Sequence, residues 1–223
     1  MSSSIKERIT TIRSSLPDSV RLIAVTKQVS CEVMRSAYAA GLRDFAESRI
    51  QEATSKQVEL QDLTDITWHF IGHLQSNKAK KALSQFSWIH SVDNLQLAQR
   101  LNQLAQELKV SPQVCLQVKI LVDPNKSGWS ATQLLADLPA LNQCENLKIQ
   151  GLMTIPPAGL DDAEIARVFN RTRELAQEIQ RQNWSNIKMQ HLSMGMSGDY
   201  KLAVQAGATM VRLGTILFGD RSV

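Results

Sequence analysis

The chain has 223 residues, of which 43% are hydrophobic and 21% charged, with a net charge of +4 and a pI near 9.0. These values exclude a disordered or fibrous chain and fit a soluble globular protein, and no apolar stretch approaches the ~18 residues of a membrane span. Three scattered cysteines, Cys31, Cys115 and Cys144, without a CxxC pair, argue against a disulfide framework or a structural zinc site.

The N-terminal "MSSSIKERIT" lacks the apolar core of a signal peptide, so a cytoplasmic location is expected. The length suits one large domain spanning 1–223. In chain order, short β-like runs fall at 21–26, 43–47, 67–72, 87–92, 113–120, 148–155, 190–194 and 209–213. Helix-period segments lie between them near 30–40, 49–60, 76–83, 94–108, 130–140, 161–182 and 199–206. Strands alternating with helices imply parallel crossover units, and eight such units close into a (β/α)8 TIM-type barrel. "AAGLRDFAE" (39–47) and "QAGATMVRLG" (205–214) repeat one pattern: helix end, Ala-Gly cap, strand. Gly41 and Gly207 are expected in the left-handed conformation that ends a helix. An open doubly wound sheet is the alternative, but "TKQVSCE" after the first strand has no glycine-rich turn for a dinucleotide, and no P-loop occurs.

His69 and His73 are four residues apart on or just past a strand, a span of ~13 Å, so they do not readily share a metal ion. Lys27 draws attention by its position. It ends the apolar run "RLIAV", and the C-terminal ends of barrel strands carry active-site residues. A lysine partly withdrawn from water has a lowered pKa and attacks aldehydes. Taken alone, such a lysine is more often a solvated strand terminus. The C-terminal quarter shifts that balance. In "HLSMGMSGDYKLAVQAGA" (191–208), Ser193, Ser197 and two glycines follow the seventh strand, and Gly214 and Thr215 follow the eighth. Barrels often bind phosphate between these two loops, and closure places the eighth strand beside the first. An amine and a phosphate cup facing one opening match pyridoxal 5′-phosphate, which carries an aldehyde and a phosphate.

The motifs "AVTK" (24–27), "FAES" (45–48), "WHFIGHLQSNK" (68–78), "SVD" (91–93), "GLM" (151–153), "LSMGMSGD" (192–199) and "VRLGTILFG" (211–219) run through nearly the whole chain. In these the chain resembles the YggS/PROSC-type pyridoxal phosphate homeostasis proteins, which look like the barrel of alanine racemase without its second domain. The resemblance implies a fold type III pyridoxal phosphate protein with Lys27 forming the internal aldimine. It matches Ser193, Ser197, Gly214 and Thr215 to phosphate anchoring, and Arg212 to the arginine beside the pyridine nitrogen. Many relatives have Asn where this chain has Ser48, which puts any ring contact of that amide in doubt. Gln75, Asn77 and Lys78 are motif residues to which the resemblance assigns no role.

A guanidinium cannot accept a proton from the pyridine nitrogen, so the cofactor would be a poor electron sink. The expected function is intracellular pyridoxal phosphate homeostasis by holding the cofactor, without established catalysis; a small amino-acid racemase is the alternative. Racemisation needs acid–base groups on both faces of the substrate carbon. The chain offers Lys27 and two tyrosines, Tyr38 and Tyr200, and almost no length for a second domain. A lyase using Lys27 on a sugar phosphate without cofactor is a third reading. Lys78, Lys80 and Lys81 in "QSNKAKK" read as a solvated basic face, with no interleaved aromatics for nucleic acid. Lys126 in "DPNKSG" sits in a polar loop and is the weaker candidate for the amine. Met153, Met194 and Met196 read as core or ring-packing groups. A monomer is expected, with transient apo-enzyme or regulatory protein partners left open.

Overall fold

The structure is a computed structural model and describes residues 4–123 and 126–219. In chain order the elements are α1 (Ile5–Ser15), β1 (Arg21–Val25), α2 (Cys31–Ala39), β2 (Asp44–Glu47), α3 (Ile50–Glu59) and β3 (Thr67–Phe70). A 3-10 turn (Ser76–Lys78), α4 (Ala79–Leu83), β4 (Trp88–Val92), α5 (Leu95–Leu108), β5 (Gln113–Gln117) and α6 (Ala131–Asn142) follow. The chain continues through β6 (Lys148–Met153), α7 (Asp162–Arg181), β7 (Ile187–Ser193), α8 (Tyr200–Gln205), β8 (Met210–Leu213) and α9 (Thr215–Phe218). All strands pair in parallel, and β8 joins β1 to close the barrel.

Local chemistry accounts for the element ends. Ser30, Asn94, Ser130 and Asp161 cap α2, α5, α6 and α7 by accepting backbone N–H groups in their first turns. Gly41 and Gly207 have φ of 93° and 94°, as the repeated Ala-Gly pattern anticipated. Trp88, Cys115, Met153 and Met210 pack inside the barrel with Ile23, Val25 and Ala46, while the larger apolar cluster lies between the strands and the outer helices. Two glycines of the family motifs permit close chain approach. A Cβ on Gly151 would lie 1.8 Å from the His191 carbonyl oxygen, and one on Gly72 would lie 2.0 Å from that of Ser48.

The structure departs from the sequence expectations at several ends. Helix α1 was not anticipated, although "SIKE" carries its capping box: Ser4 and Glu7 each accept the other's backbone N–H. Buried Ile9 and Ile12 give α1 its inner face. Strand β5 stops at Gln117, after which Val118 still donates to the Met153 carbonyl at 2.9 Å and forms an isolated bridge with Trp129. Strand β7 starts at Ile187 because its first half alternates buried and exposed residues rather than forming one apolar run. The helix expected over 76–83 divides into the 3-10 turn and α4.

Candidate functional site

Lys27 follows β1 on a tight turn. Val29 N–H donates to the Thr26 carbonyl at 2.9 Å, and Gln28 is left-handed at φ 60°. A buried brace fixes this turn from below. The Lys56 ammonium on α3 donates to the Thr26 carbonyl at 2.7 Å, to Glu47 at 2.9 Å and to Glu52 at 2.6 Å. The Thr26 hydroxyl donates to Glu47 Oε1 at 2.6 Å, and Glu52 accepts the Gln28 N–H. Burial pushes the Glu47 carboxyl up from its ordinary value, against the lowering contacts of Thr26 and Lys56. Its Oε2 is buried without a hydrogen-bond partner. The Lys27 side chain itself is exposed. The withdrawal from water expected of it is not seen, because the lysine sits on a turn at the barrel rim rather than on the strand.

A cavity of about 330 Å³ opens at the C-terminal ends of the strands. It is lined by Lys27, Arg212, Ser197, Gly198, Gly214 and Thr215, with apolar walls from Val25, Ile71, Ile155 and Met196, and Ser48 at its side. The Ser197 hydroxyl receives the N–H groups of Gly214 and Ile216, each at 3.3 Å, so the loops after β7 and β8 meet as expected. Gly195 turns the first loop at φ 96°, where a Cβ would fall 2.6 Å from that of Ala203. Gly198 is different: a Cβ there meets nothing within 4 Å.

Ser193 requires a correction. It is fully buried on β7 and does not line the cavity. Its hydroxyl accepts from Arg212 Nη1 at 2.8 Å and contacts His90 Nδ1 at 2.8 Å, so it is committed beneath the site rather than open to a phosphate. Strand register explains this: Ser193 pairs with Met210, and its side chain points into the barrel with Arg212. The chain of contacts then crosses the barrel interior, from His90 Nε2 to His69 Nδ1 at 2.9 Å and from His69 Nε2 to Asp44 at 2.9 Å. Burial lowers the pKa of His69, despite the opposing effect of Asp44, and takes that of His90 well below its ordinary value, so both rings are neutral. A carboxylate only accepts, which fixes the direction of every bond: Arg212 donates to Ser193, Ser193 to His90, His90 to His69 and His69 to Asp44. Burial pulls the Arg212 pKa down to about 10, which leaves it cationic at neutral pH. Arg212 also donates to the Thr154 carbonyl at 3.1 Å.

His69 and His73 belong to separate contacts, His73 pairing with Asp93 at 3.2 Å. Among the described residues no cluster of three or more His, Cys, Asp or Glu is placed to hold a metal, and no helix is long and apolar enough to cross a membrane. Lys126 lies outside the cavity lining; its ammonium meets the carbonyls of Ile155 and Pro156 and so supports the Ile155 wall. Part of its loop, 124–125, lies outside the described residues. Tyr38 is on α2 with its hydroxyl on Asp65, and Tyr200 is buried in the core. Met153 and Met194 are core residues, while the exposed Met196 lines the cavity. Sequence reasoning missed Lys56, Glu47 and the His69–His90 pair. The signal available for Glu47 and the two histidines was a Glu or His at a strand position otherwise expected to be apolar; Lys56, on α3, offered no such signal.

The molecule is thus a (β/α)8 barrel with a lysine- and arginine-lined cavity at its C-terminal mouth. Residues 2–222 match the family described as alanine racemase, N-terminal domain. A Synechocystis protein named pyridoxal phosphate homeostasis protein is 55% identical over 94% of this chain and 95% of its own length. The solved structure of PipY from Synechococcus elongatus, with PLP bound, superposes with a TM-score of 0.92 at 51% identity, covering 97% of this chain and 100% of that one. Alanine racemase of Clostridium difficile shares the fold alone, with a TM-score of 0.78 at 15% identity over 97% of this chain and 56% of that one. The chain belongs to the alanine racemase N-terminal domain family and, within it, to the pyridoxal phosphate homeostasis proteins.

Proposed function

We propose that the chain binds pyridoxal 5′-phosphate at the barrel mouth and holds it, serving the intracellular balance of the cofactor rather than turning over a substrate. The observation that carries this reading is one cavity lined by Lys27, Arg212, Ser197, Gly214 and Thr215. The donor set fits the group: an amine for the aldehyde, hydroxyls and backbone N–H groups for the phosphate, and a cation for the ring nitrogen. When bound, the cofactor supplies an aldehyde that condenses with amines and a ring that can accept electrons.

The residues divide these tasks. Lys27 reaches the aldehyde from the braced turn after β1. Ser197, Gly214 and Thr215 bind the phosphate, and Gly198 leaves room for it. Arg212, cationic and held by Ser193 and Thr154, donates toward the ring nitrogen and cannot take a proton from it. Val25, Ile71 and Ile155 keep water from the ring faces. The names of the relatives and the bound PLP of PipY support the same reading.

Holding is favoured over racemisation because racemisation needs acid–base groups on both faces of the substrate carbon, and among the described residues lining the cavity Lys27 is the one that carries an amine, imidazole or carboxylate. We place the protein in the cytoplasm as a monomer, with apo-enzymes or regulatory proteins as its transient partners and neither nucleic acid nor membrane as a target. Borohydride reduction of the loaded protein, followed by peptide mass spectrometry, is expected to place a single label on Lys27. A label elsewhere, or one that persists in Lys27→Ala, overturns the assignment. Rapid D-isomer formation from an L-amino acid, requiring Lys27, would replace the holding role with a catalytic one.

A further inference from the structure

The motif residues Gln75 and Lys78 lie outside the cofactor cavity but line a second one, of about 280 Å³, which shares Ser48 with it. Three cationic side chains face this second cavity: Arg49 from the start of α3, Lys78 from the 3-10 turn and Lys81 from α4. Among the described residues none of the three side chains makes a hydrogen bond or a close ion pair, although Arg49 acts on Glu52 at longer range. The carboxylates of neighbouring elements are engaged elsewhere. Glu52 is held by Lys56 and the Gln28 N–H, and Asp93 by His73.

Backbone groups add to this charge. Helix α3 has ten residues and no side-chain cap, and its first residues, Ile50 and Gln51, are part of the cavity wall. The uncapped N–H groups of that first turn and the positive end of the helix dipole thus face the cavity that the solvent-exposed Arg49, Lys78 and Lys81 also line. Such a set matches a dianion better than a single carboxylate, because each phosphate oxygen can accept its own charge-assisted hydrogen bond. The cavity is too small for a macromolecule and is floored by Phe70 and Leu74, which leaves room for a compact organic portion.

We infer that this cavity is a second anion site, binding the phosphate group of a small phosphate monoester at the barrel mouth beside the cofactor. Ser48, common to both cavities, is the point where the two ligands meet. This gives the "QSNK" segment a role in binding rather than in solvation alone.

The test is isothermal titration with inorganic phosphate on two forms of the full chain, one cofactor-free and one with the cofactor fixed on Lys27 by borohydride. The cofactor-free chain is expected to show two sites and the fixed form one. In the fixed form, Lys78→Gln with Lys81→Gln should weaken binding at least ~10-fold. Lys78→Arg with Lys81→Arg should retain it, as should the distant control pair Lys6→Gln with Lys188→Gln. Phosphate binding that is absent from the fixed form, or that survives the double glutamine variant, overturns the inference. Failure of the cofactor reading looks different: no adduct forms on Lys27, while the Lys78- and Lys81-dependent site persists.

Discussion

Replacing Ser193 with alanine separates two roles for one hydroxyl. On the sequence alone it belongs to the phosphate cup, where its removal would weaken cofactor binding and spare the fold. In the structure it joins Arg212 to His90 at 2.8 Å on each side, in a residue with no solvent exposure. Deleting it strands a charged donor and a neutral acceptor, both in residues at least 97% buried. A hydrogen bond to a charged group contributes about 1.5–3 kcal/mol, and a buried orphan costs about 1–3 kcal/mol, so the two together cost roughly 3–5 kcal/mol. For a chain of this length that lowers the melting temperature by on the order of 10 °C. The assay is thermal and urea unfolding of the cofactor-free protein, with Ser197→Ala as comparison. Ser197 is half-buried and its two backbone contacts are long, at 3.3 Å, so its loss should cost under about 1 kcal/mol while weakening cofactor binding. If cofactor-free Ser193→Ala unfolds within about 0.5 kcal/mol of the parent and instead loses cofactor affinity, the buried chain is refuted and the phosphate role restored.

Lys27→Ala should remove the cofactor's absorbance band yet leave cofactor-free stability within ~0.5 kcal/mol, since the side chain is exposed; unfolding curves and spectra of the two proteins check both parts. Gly195→Ala forces a left-handed alanine against Ala203 and should destabilise by about 1–3 kcal/mol, measured by urea unfolding. Gly198→Ala has open space and a permitted φ, so it should leave unfolding unchanged and lower cofactor affinity ~10-fold, read by fluorescence titration. His69, His90 and His191 all have lowered pKa values in the fold, so their stabilising contribution is complete above the unfolded value of about 6.5 and is lost as pH falls below it. Glu47, raised by burial, acts in the opposite sense, its contribution fading as pH rises through its folded value. Across pH 5–6.5, His90→Phe should therefore flatten the slope of stability against pH by up to ~1.4 kcal/mol per unit; an unchanged slope would mean His90 is not held neutral.

The barrel was readable because strand and helix segments alternate with capped ends, and Gly41 and Gly207 repeat one helix-to-strand turn. That Lys27, Ser197, Gly214 and Thr215 would line one opening was readable because a fold with its ligand face at the strand ends converts chain position into spatial position, whereas Arg212 was singled out by the family resemblance alone. Ser193 was misplaced because loop composition does not reveal which face of β7 a side chain takes; a one-residue difference moves it from cavity to interior. The polar chain escaped notice for a related reason. Asp44, His69, His90 and Ser193 come from four different strands, and only closure of the sheet aligns them. Helix α1 was a different kind of miss, since both its capping box and its isoleucine spacing were present in the sequence.

The two buried polar systems anchor different ends of the proposed ligand. The Asp44-to-Ser193 chain fixes the Arg212 guanidinium, and its one-way order requires that cation at one end and the Asp44 carboxylate at the other. The Lys56 brace instead fixes backbone: it holds the Thr26 carbonyl and, through Glu52, the Gln28 N–H on either side of Lys27. The lysine side chain is exposed and lines the cavity, with no such brace along its length. A catalytic lysine working on a substrate carbon benefits from being fixed along its whole length, because misplacement of about 1 Å can cost ~100-fold in rate. A lysine that must accept an aldehyde and later release it benefits from a fixed root and a free tip. The site thus combines a hydrogen-bonded arginine, a braced turn and a solvent-exposed amine, which is what the proposed holding role asks of it.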